Sequence, residues 1–254
     1  MDCSFLSQKG KVVLVTGGSR GIGKACALAF ADAGADIVIS SRKPEALAEV
    51  AREVETKSVR CLYVPAHLKK TEDLKSLVDK ILTEFGRIDV LINNAATNPG
   101  MAAIVDTEDD MFDHIIDTNL KGYFRLSKIV GKLMQKQQSG HIINISSAGG
   151  VSPAEGLGPY CISKAGINML TKQMAMELGP SNVHVNAIAP RIVKTGFSKA
   201  LWSNEKLMEA EYKNTPLKCV ATPEEIAQSA LYLASPASSY MTGHILVLNG
   251  GAFF

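Results

Sequence analysis

Seven short runs of β-branched and other apolar residues recur along the chain, with amphipathic stretches between most of them. This alternation constrains the fold more than any single residue does. The runs are KVVLVTG (11–17), DIVISS (36–41), VRCLYVP (59–65), IDVLINNAA (88–96), HIINISS (141–147), VHVNAIAP (183–190) and HILVLNG (244–250). Strands that are apolar on both faces and separated by helices predict a parallel sheet covered on both sides. Segments 23–34, 44–55, 72–86 and 223–235 read as helices, two helical stretches follow around 108–137, and a long helix runs from about 159 to 179. Right-handed crossovers between such strands give a three-layer α/β/α architecture, a Rossmann-type doubly wound parallel sheet. No linker, repeat or low-complexity stretch interrupts 1–254, so one domain is expected. Segment 196–216 looks less regular and reads as an insertion over the carboxyl edge of the sheet, with Trp202 exposed on it.

Composition narrows the class of function. Lys+Arg number 27 against 25 Asp+Glu, without a run of like charge, which gives a nucleic-acid or membrane-surface role little electrostatic support. No stretch approaches the roughly 18 uninterrupted apolar residues of a spanning helix. Five scattered cysteines (Cys3, Cys26, Cys61, Cys161, Cys219) argue against a disulfide framework, and neither C-x-x-C nor H-E-x-x-H is present, so no metal site is expected. The start MDCSFLSQKGKVVLVTGG lacks the apolar core of a signal peptide, and GGAFF matches neither a peroxisomal nor an endoplasmic-reticulum address. The expectation is a cytoplasmic protein.

The first strand runs into TGGSRGIGKA (16–25). A glycine-rich turn between strand and helix lets backbone N–H groups approach a pyrophosphate, aided by the dipole of the helix N-terminus. The spacing is Gly17-x-x-x-Gly21-x-Gly23 rather than G-x-G-x-x-G. At the end of the second strand, ISSRK carries Ser40, Ser41 and Arg42 and no carboxylate to pair with a ribose 2′-hydroxyl. Arg42, with Arg20 in the turn, is suited to flank a 2′-phosphate, which points to NADP(H).

A second chemical cluster lies in GLGPYCISKAG (156–166). Tyr160 and Lys164 stand four residues apart and share a helix face, whereas Cys161 is turned about 100° away. A free tyrosine, with a pKa of about 10, is a poor base at neutral pH. A neighbouring ammonium favours the phenolate and makes it a usable acid/base. Cys161 as a nucleophile is the rival reading, without a local His or Asn to activate it.

TGGSRGIG resembles the T-G-x-x-x-G-x-G signature of the short-chain dehydrogenases/reductases. The resemblance continues in order through NNAA (93–96), Asn119 in DTNLKG, NISS (144–147), YCISK (160–164) and NAIAPRIVKT (186–195), over essentially the whole chain. SSRK, His67, NAATNP, the Pro-Tyr pair at 159–160 and VKTGFSKALW (193–202) are similar to one subgroup, the NADP-dependent carbonyl reductase/retinol dehydrogenase-like members. The resemblance implies that Tyr160 gives the proton to a carbonyl oxygen, and that Lys164 lowers its pKa and holds the nicotinamide ribose. It implies that Ser147, thirteen residues before Tyr160, polarises the substrate oxygen, and that Asn119 maintains a water relay to Lys164. It places the cofactor against Gly17, Ser19, Arg20, Gly21, Ile22, Gly23, Ser41, Arg42, His67, Leu68, Asn94, Ala95, Tyr160, Lys164, Pro190, Val193 and Thr195. His67 stands where many members carry an Asp near the adenine.

The pattern breaks at Arg191, where the family usually has Gly after Pro190; Ala96 for the Gly of NNAG is a milder departure. Arg at 191 leaves three possibilities: a side chain in solvent with a slight shift of the loop, a perturbed nicotinamide pocket, or a cation at the substrate mouth that favours acidic substrates. The implied function is NADPH-dependent reduction of a small to medium apolar ketone, aldehyde or steroid/retinoid-like substrate, or the reverse oxidation. Thr97, Asn98, Pro153, Leu157, Leu201 and Trp202 are the candidate pocket walls. The alternative is a nucleotide-sensing or scaffold protein on the same fold whose catalysis is impaired. The resemblance also implies a homotetramer or homodimer through the helices around 108–137 and 159–179, with GGAFF at an interface.

Overall fold

All seven apolar runs become strands, five of them central and those at 61–65 and 245–248 at the edges. A computed structural model describes residues 4–252, so part of the GGAFF segment, Phe253 and Phe254, lies outside the described residues. Seven parallel strands form one sheet: β1 (Val12–Thr16), β2 (Asp36–Ser41), β3 (Cys61–Pro65), β4 (Val90–Asn93), β5 (Gly140–Ile145), β6 (Val183–Pro190) and β7 (Ile245–Leu248). Their order is β3-β2-β1-β4-β5-β6-β7, the doubly wound arrangement expected. The reversal of winding falls between β1 and β4, the place where a doubly wound sheet takes its ligand beyond the carboxyl ends of the strands.

Alternation along the strands sorts side chains into two cores. In β1, Val13 and Val15 point to one face and Val12 and Leu14 to the other, all of them buried. The first face is covered by α1 (Gly21–Asp32), α2 (Pro44–Glu55) and α9 (Pro223–Leu233), through Phe30, Leu47 and Ile226 among others. The second is covered by α3 (Thr71–Phe85), α5 (Gly122–Gln137) and α6 (Gly158–Leu178), through Leu77, Leu126 and Ile167. Helix ends follow local chemistry. In α9, Thr222 and Glu225 form a reciprocal capping box ahead of Pro223. No helix among the described residues is long and apolar enough to cross a membrane.

Three segments differ from the sequence expectation. The run 88–96 is strand only to Asn93, because Asn94 turns to bond the glycine-rich loop: its backbone N–H donates to Thr16 Oγ1 (2.9 Å) and its side-chain amide to Thr16 O (2.9 Å). The stretch around 108–137 is α4 (Asp109–Ile115) joined to α5 by a wide π-helical passage, Ile116–Lys121. Segment 196–216 is also more ordered than expected. It contains α7 (Lys199–Trp202) and α8 (Glu205–Asn214), the latter started by Asn204, whose side chain accepts the Leu207 N–H (3.2 Å). Trp202 is half-buried rather than exposed, and its indole N–H donates to the Thr195 carbonyl (2.7 Å).

Candidate active site

The glycine turn owes its shape to close backbone packing. Gly17 has φ +65°, and a Cβ there would lie 2.7 Å from Asn94 Nδ2 and 2.9 Å from Ala95 Cα. A Cβ on Gly23 would meet the Gly17 carbonyl oxygen at 2.3 Å. No larger residue fits either position, so β1, α1 and the loop after β4 close on one another at the reversal of winding. Gly21 (φ +55°) faces Thr195, whose Cγ2 would be 3.3 Å from a Cβ there. Thus the turn and the segment after β6 are neighbours. Within this cradle Ser19 and Ile22 are half-buried, Arg20 is exposed, and Arg20 Nη1 lies 3.9 Å from where a Cβ of Gly196 would be.

At the ends of β2 and β3 stand Ser41, Arg42, His67 and Leu68. The Ser41 hydroxyl is buried and has no hydrogen-bond partner among the described residues. Arg42 is exposed. His67 accepts the Lys69 N–H at Nδ1 (3.2 Å), which leaves Nε2 as its donor in the neutral ring. Burial, then the charges of Arg42, Lys69 and Lys70, lower the His67 pKa against an opposing pull from Asp73. The corner is therefore rich in cations. Leu68 is buried against α5, with its Cβ 2.9 Å from a Cβ placed on Gly122.

Ser147, Tyr160 and Lys164 meet at the carboxyl end of β5. Ser147 follows the strand in extended conformation, and its hydroxyl accepts the Gly149 N–H (3.1 Å). Ser146 beside it is committed to holding α6, donating to the Lys164 carbonyl (3.2 Å) and Asn168 Oδ1 (2.6 Å). Tyr160 and Lys164 lie on one face of α6. Lys164 is buried, and its ammonium donates to the Ile145 carbonyl (2.7 Å), 5.6 Å from the Tyr160 ring centre and 5.4 Å from that of Tyr123. Cys161 is buried beside the segment Ala148–Gly150, its sulfur 3.1 Å from a Cβ placed on Gly149.

The electrostatics differ from the sequence expectation. Burial lowers Lys164 from the usual 10.5 to about 7. Burial also pushes Tyr160 up to about 12, with the Ser147 hydroxyl pulling it back and Cys161 adding to the rise. Burial acts on both groups and outweighs the expected lowering of the phenol. At neutral pH the site presents a protonated phenol beside an amine that is only partly charged.

Asn119 sits in the π-helical passage, fully buried. Its side chain accepts from the Thr97 N–H (2.8 Å) and donates to the Thr97 carbonyl (3.0 Å) and Ser163 Oγ (3.2 Å). That amide is consumed in tying the loop after β4 to α6, which leaves its main chain for any water relay. Past β6, Pro190 and Val193 are buried and Thr195 is half-buried; Thr195 Oγ1 lies 3.1 Å from Ser198 Oγ. Arg191 keeps a negative φ, so it occupies the position usually held by Gly without backbone strain. Its guanidinium does not project free toward the mouth but forks onto the Glu211 carboxylate.

Among the candidate walls, Thr97, Asn98, Leu157, Leu201 and Trp202 are half-buried, while Pro153 is exposed. Two aromatic residues missed by sequence reasoning stand closer to the chemistry. Phe197 lies 6.2 Å from the Tyr160 ring, and Tyr123, fully buried, donates to the same Ile145 carbonyl as Lys164 (3.3 Å). Neither carries a local motif, since they arrive from a loop and from a helix distant in sequence.

Comparison with known proteins shows which family the chain resembles along its length. The sequence model of the family described as Enoyl-(Acyl carrier protein) reductase matches residues 17–252. The chain is 36% identical over 242 residues to dehydrogenase/reductase SDR family member 4 of Oryctolagus cuniculus, covering 95% of this chain and 93% of that protein. It is 37% identical over 243 residues to the 3-oxoacyl-(acyl-carrier-protein) reductase of Thermotoga maritima, covering 96% and 98%. The crystal structure of a gluconate 5-dehydrogenase from Burkholderia cenocepacia, in complex with NADP and tartrate, superposes with a TM-score of 0.94 at 29% identity, covering 98% of this chain and 97% of that one.

Proposed function

The chain belongs to the short-chain dehydrogenase/reductase family, and on that premise we propose that it interconverts a carbonyl compound and its alcohol with NADP(H). The observation that carries this reading is the meeting of Ser147, Tyr160 and Lys164 at the carboxyl end of β5, beside the glycine cradle. A bound nicotinamide dinucleotide supplies hydride to the carbonyl carbon, or accepts it in the reverse direction. The chain's own groups handle the oxygen. Ser147 donates a hydrogen bond to it, and Tyr160, held protonated by burial, gives it the proton. Each increment of charge on Lys164 eases loss of that proton, and its position on the same helix face lets it hold a ribose hydroxyl. Asn119 keeps the loop after β4 in place through Thr97.

The choice of NADP(H) rests on the corner formed by β2 and β3. No carboxylate stands at the end of β2 to repel a 2′-phosphate, and the orphaned Ser41 hydroxyl supplies a buried donor beside Arg42. Arg20 and the lysines near His67 add positive charge. The NADP-bound Burkholderia cenocepacia enzyme is a relative of the same fold. The substrate is a small to medium apolar ketone or aldehyde, since exposed apolar residues rim the mouth: Met101, Ile104, Val151 and Phe197. A homodimer or homotetramer built on α5 and α6 belongs to the same reading. The alternative, a nucleotide sensor without turnover, is less favoured because Arg191 sits without a positive φ.

A panel of ketones and aldehydes, followed by oxidation of NADPH and of NADH, tests the proposal. Turnover is expected with NADPH in preference to NADH, and Tyr160→Phe is expected to lower kcat by roughly 10²–10⁴-fold with cofactor binding retained. Cofactor binding without turnover on any carbonyl would overturn the enzymatic reading, and tighter binding of NADH the nucleotide assignment.

A further inference from the structure

We propose that Arg191 and Glu211 form a latch that holds the helical lid α7–α8 over the mouth of the site, which makes Arg191 a positioning residue for the carbonyl substrate; this rests on the carbonyl-reductase reading above. Arg191 directly follows β6, and its backbone N–H donates to the Leu248 carbonyl of β7 (2.9 Å), so it is fixed to the rigid edge of the sheet. Its guanidinium pairs bidentately with Glu211 of α8: Nε with Oε1, and Nη2 with Oε2 at 2.9 Å. Thr215, buried just past the end of α8, steadies the same carboxylate (3.3 Å). The Glu211 side chain is 11% exposed and that of Arg191 28% exposed, so the pair is shielded far better than an ordinary surface ion pair.

Just past α8 the chain is tied down by buried Thr215 and by the Leu217 N–H, which donates to the Gly250 carbonyl (3.1 Å), but α8 itself has few anchors. Among the described residues, the Arg191–Glu211 pair is the one ion pair made by α8, and Met208 is the one buried residue in that helix. Leu207 and Tyr212 are exposed. At the lid's other end, the side chains of Trp202 and Ser198 bond within the segment that leads into the lid, to Val193 and Thr195. That leading segment sits between the glycine turn, through Thr195 and Gly21, and the catalytic phenol, through Phe197 and Tyr160. The hinge end of the lid therefore touches the chemistry, while the Arg191–Glu211 pair sets where its far end rests. A glycine at 191 could not make this contact.

Trp202 is the only tryptophan in the chain and lies in α7, so its fluorescence reports the lid without turnover. Acrylamide quenching of Trp202 is to be measured in the wild type, in Arg191→Gly, in Glu211→Gln and in the double variant Arg191→Glu/Glu211→Arg, with far-UV circular dichroism as a check on folding. Each single variant is expected to raise the quenching constant about twofold or more, and the exchanged pair to restore most of the wild-type value. With a substrate found in the carbonyl panel, the single variants are expected to raise KM for the carbonyl on the order of fivefold, with a smaller change in kcat. Unchanged quenching in folded single variants would overturn the latch, as would single-variant increases that the exchanged pair does not reverse. If Arg191→Gly does not fold, the isosteric Glu211→Gln decides alone. Because quenching needs no substrate, failure of the latch and failure of the enzymatic reading are separate results.

Discussion

Lys164 shows how much a single residue gives up for its position. An amine buried between the rings of Tyr123 and Tyr160, with its pKa near 7 instead of 10.5, costs stability wherever it must carry charge. The sign follows from linkage. Below about pH 7 the lysine is charged in both folded and unfolded chains, and the folded state bears the whole cost, on the order of 5 kcal/mol. Between pH 7 and 10.5 the unfolded chain binds more protons than the folded one, so the cost fades as pH rises. Lys164→Met is therefore expected to be inactive yet more stable than the wild type, with an advantage largest at or below pH 7 and shrinking toward pH 10.5. The Ile145 carbonyl keeps the Tyr123 hydroxyl as a partner in that variant. Denaturant unfolding of both proteins across this pH range checks it, and a pH-independent difference would contradict the burial cost. The pairing of Tyr160 with Lys164 was legible because a spacing of four is a property of the helix itself. The direction of their pKa shifts was not, because burial is a property of the surroundings. Phe197 and Tyr123 were invisible for a related reason: contacts between distant segments leave no local spacing to read.

At the scale of elements, strand register has a consequence for acid stability. β5 and β6 pair so that His141 stands opposite His184, and the two rings stack 5.1 Å apart. Burial chiefly, then the charges of His184 and Lys11, lower His141 from 6.5 to about 4, and its Nδ1 is buried without a partner among the described residues. Above pH 6.5 both folded and unfolded chains hold this ring neutral. As pH falls toward 4 the unfolded chain takes up a proton that the folded one resists, and stability is lost on the order of 3 kcal/mol. His141→Phe, which keeps a ring on His184, is expected to flatten that loss; melting temperatures at pH 4.5 and 7 would measure it, and equal slopes for both proteins would contradict it. The strands were readable as strands because apolar residues on both faces have one stable home, the middle of a covered parallel sheet. Which residues face each other across strands was not readable, since register is set by tertiary packing. The same limit hid the order in 196–216: α8 is a mostly polar helix with Met208 as its one buried anchor, so it carries little apolar periodicity.

At the scale of the whole molecule, one exposed stripe stands apart from the mouth. Ile162, Met169 and Met176 recur every seven residues along α6 and remain exposed, as does Phe124 on α5. Seven residues are nearly two helical turns, so the three form one seam, suited to burial against a second copy. Met169→Lys combined with Met176→Lys is expected to reduce the sedimenting species to a single chain while the fold, followed by circular dichroism, is kept; an unchanged mass would place any interface elsewhere. The parallel sheet also divides the molecule along its strands. All seven run the same way, so the glycine turn, Ser147, Arg191 and the lid gather at one rim, while the His141–His184 stack and the ion pairs of Asp89 lie toward the other. For protein engineering this means that substrate choice and robustness are written in separate places. A library randomising the lid and the loop after β4 can search for new substrates while the opposite rim, left untouched, carries the tolerance that such a search consumes.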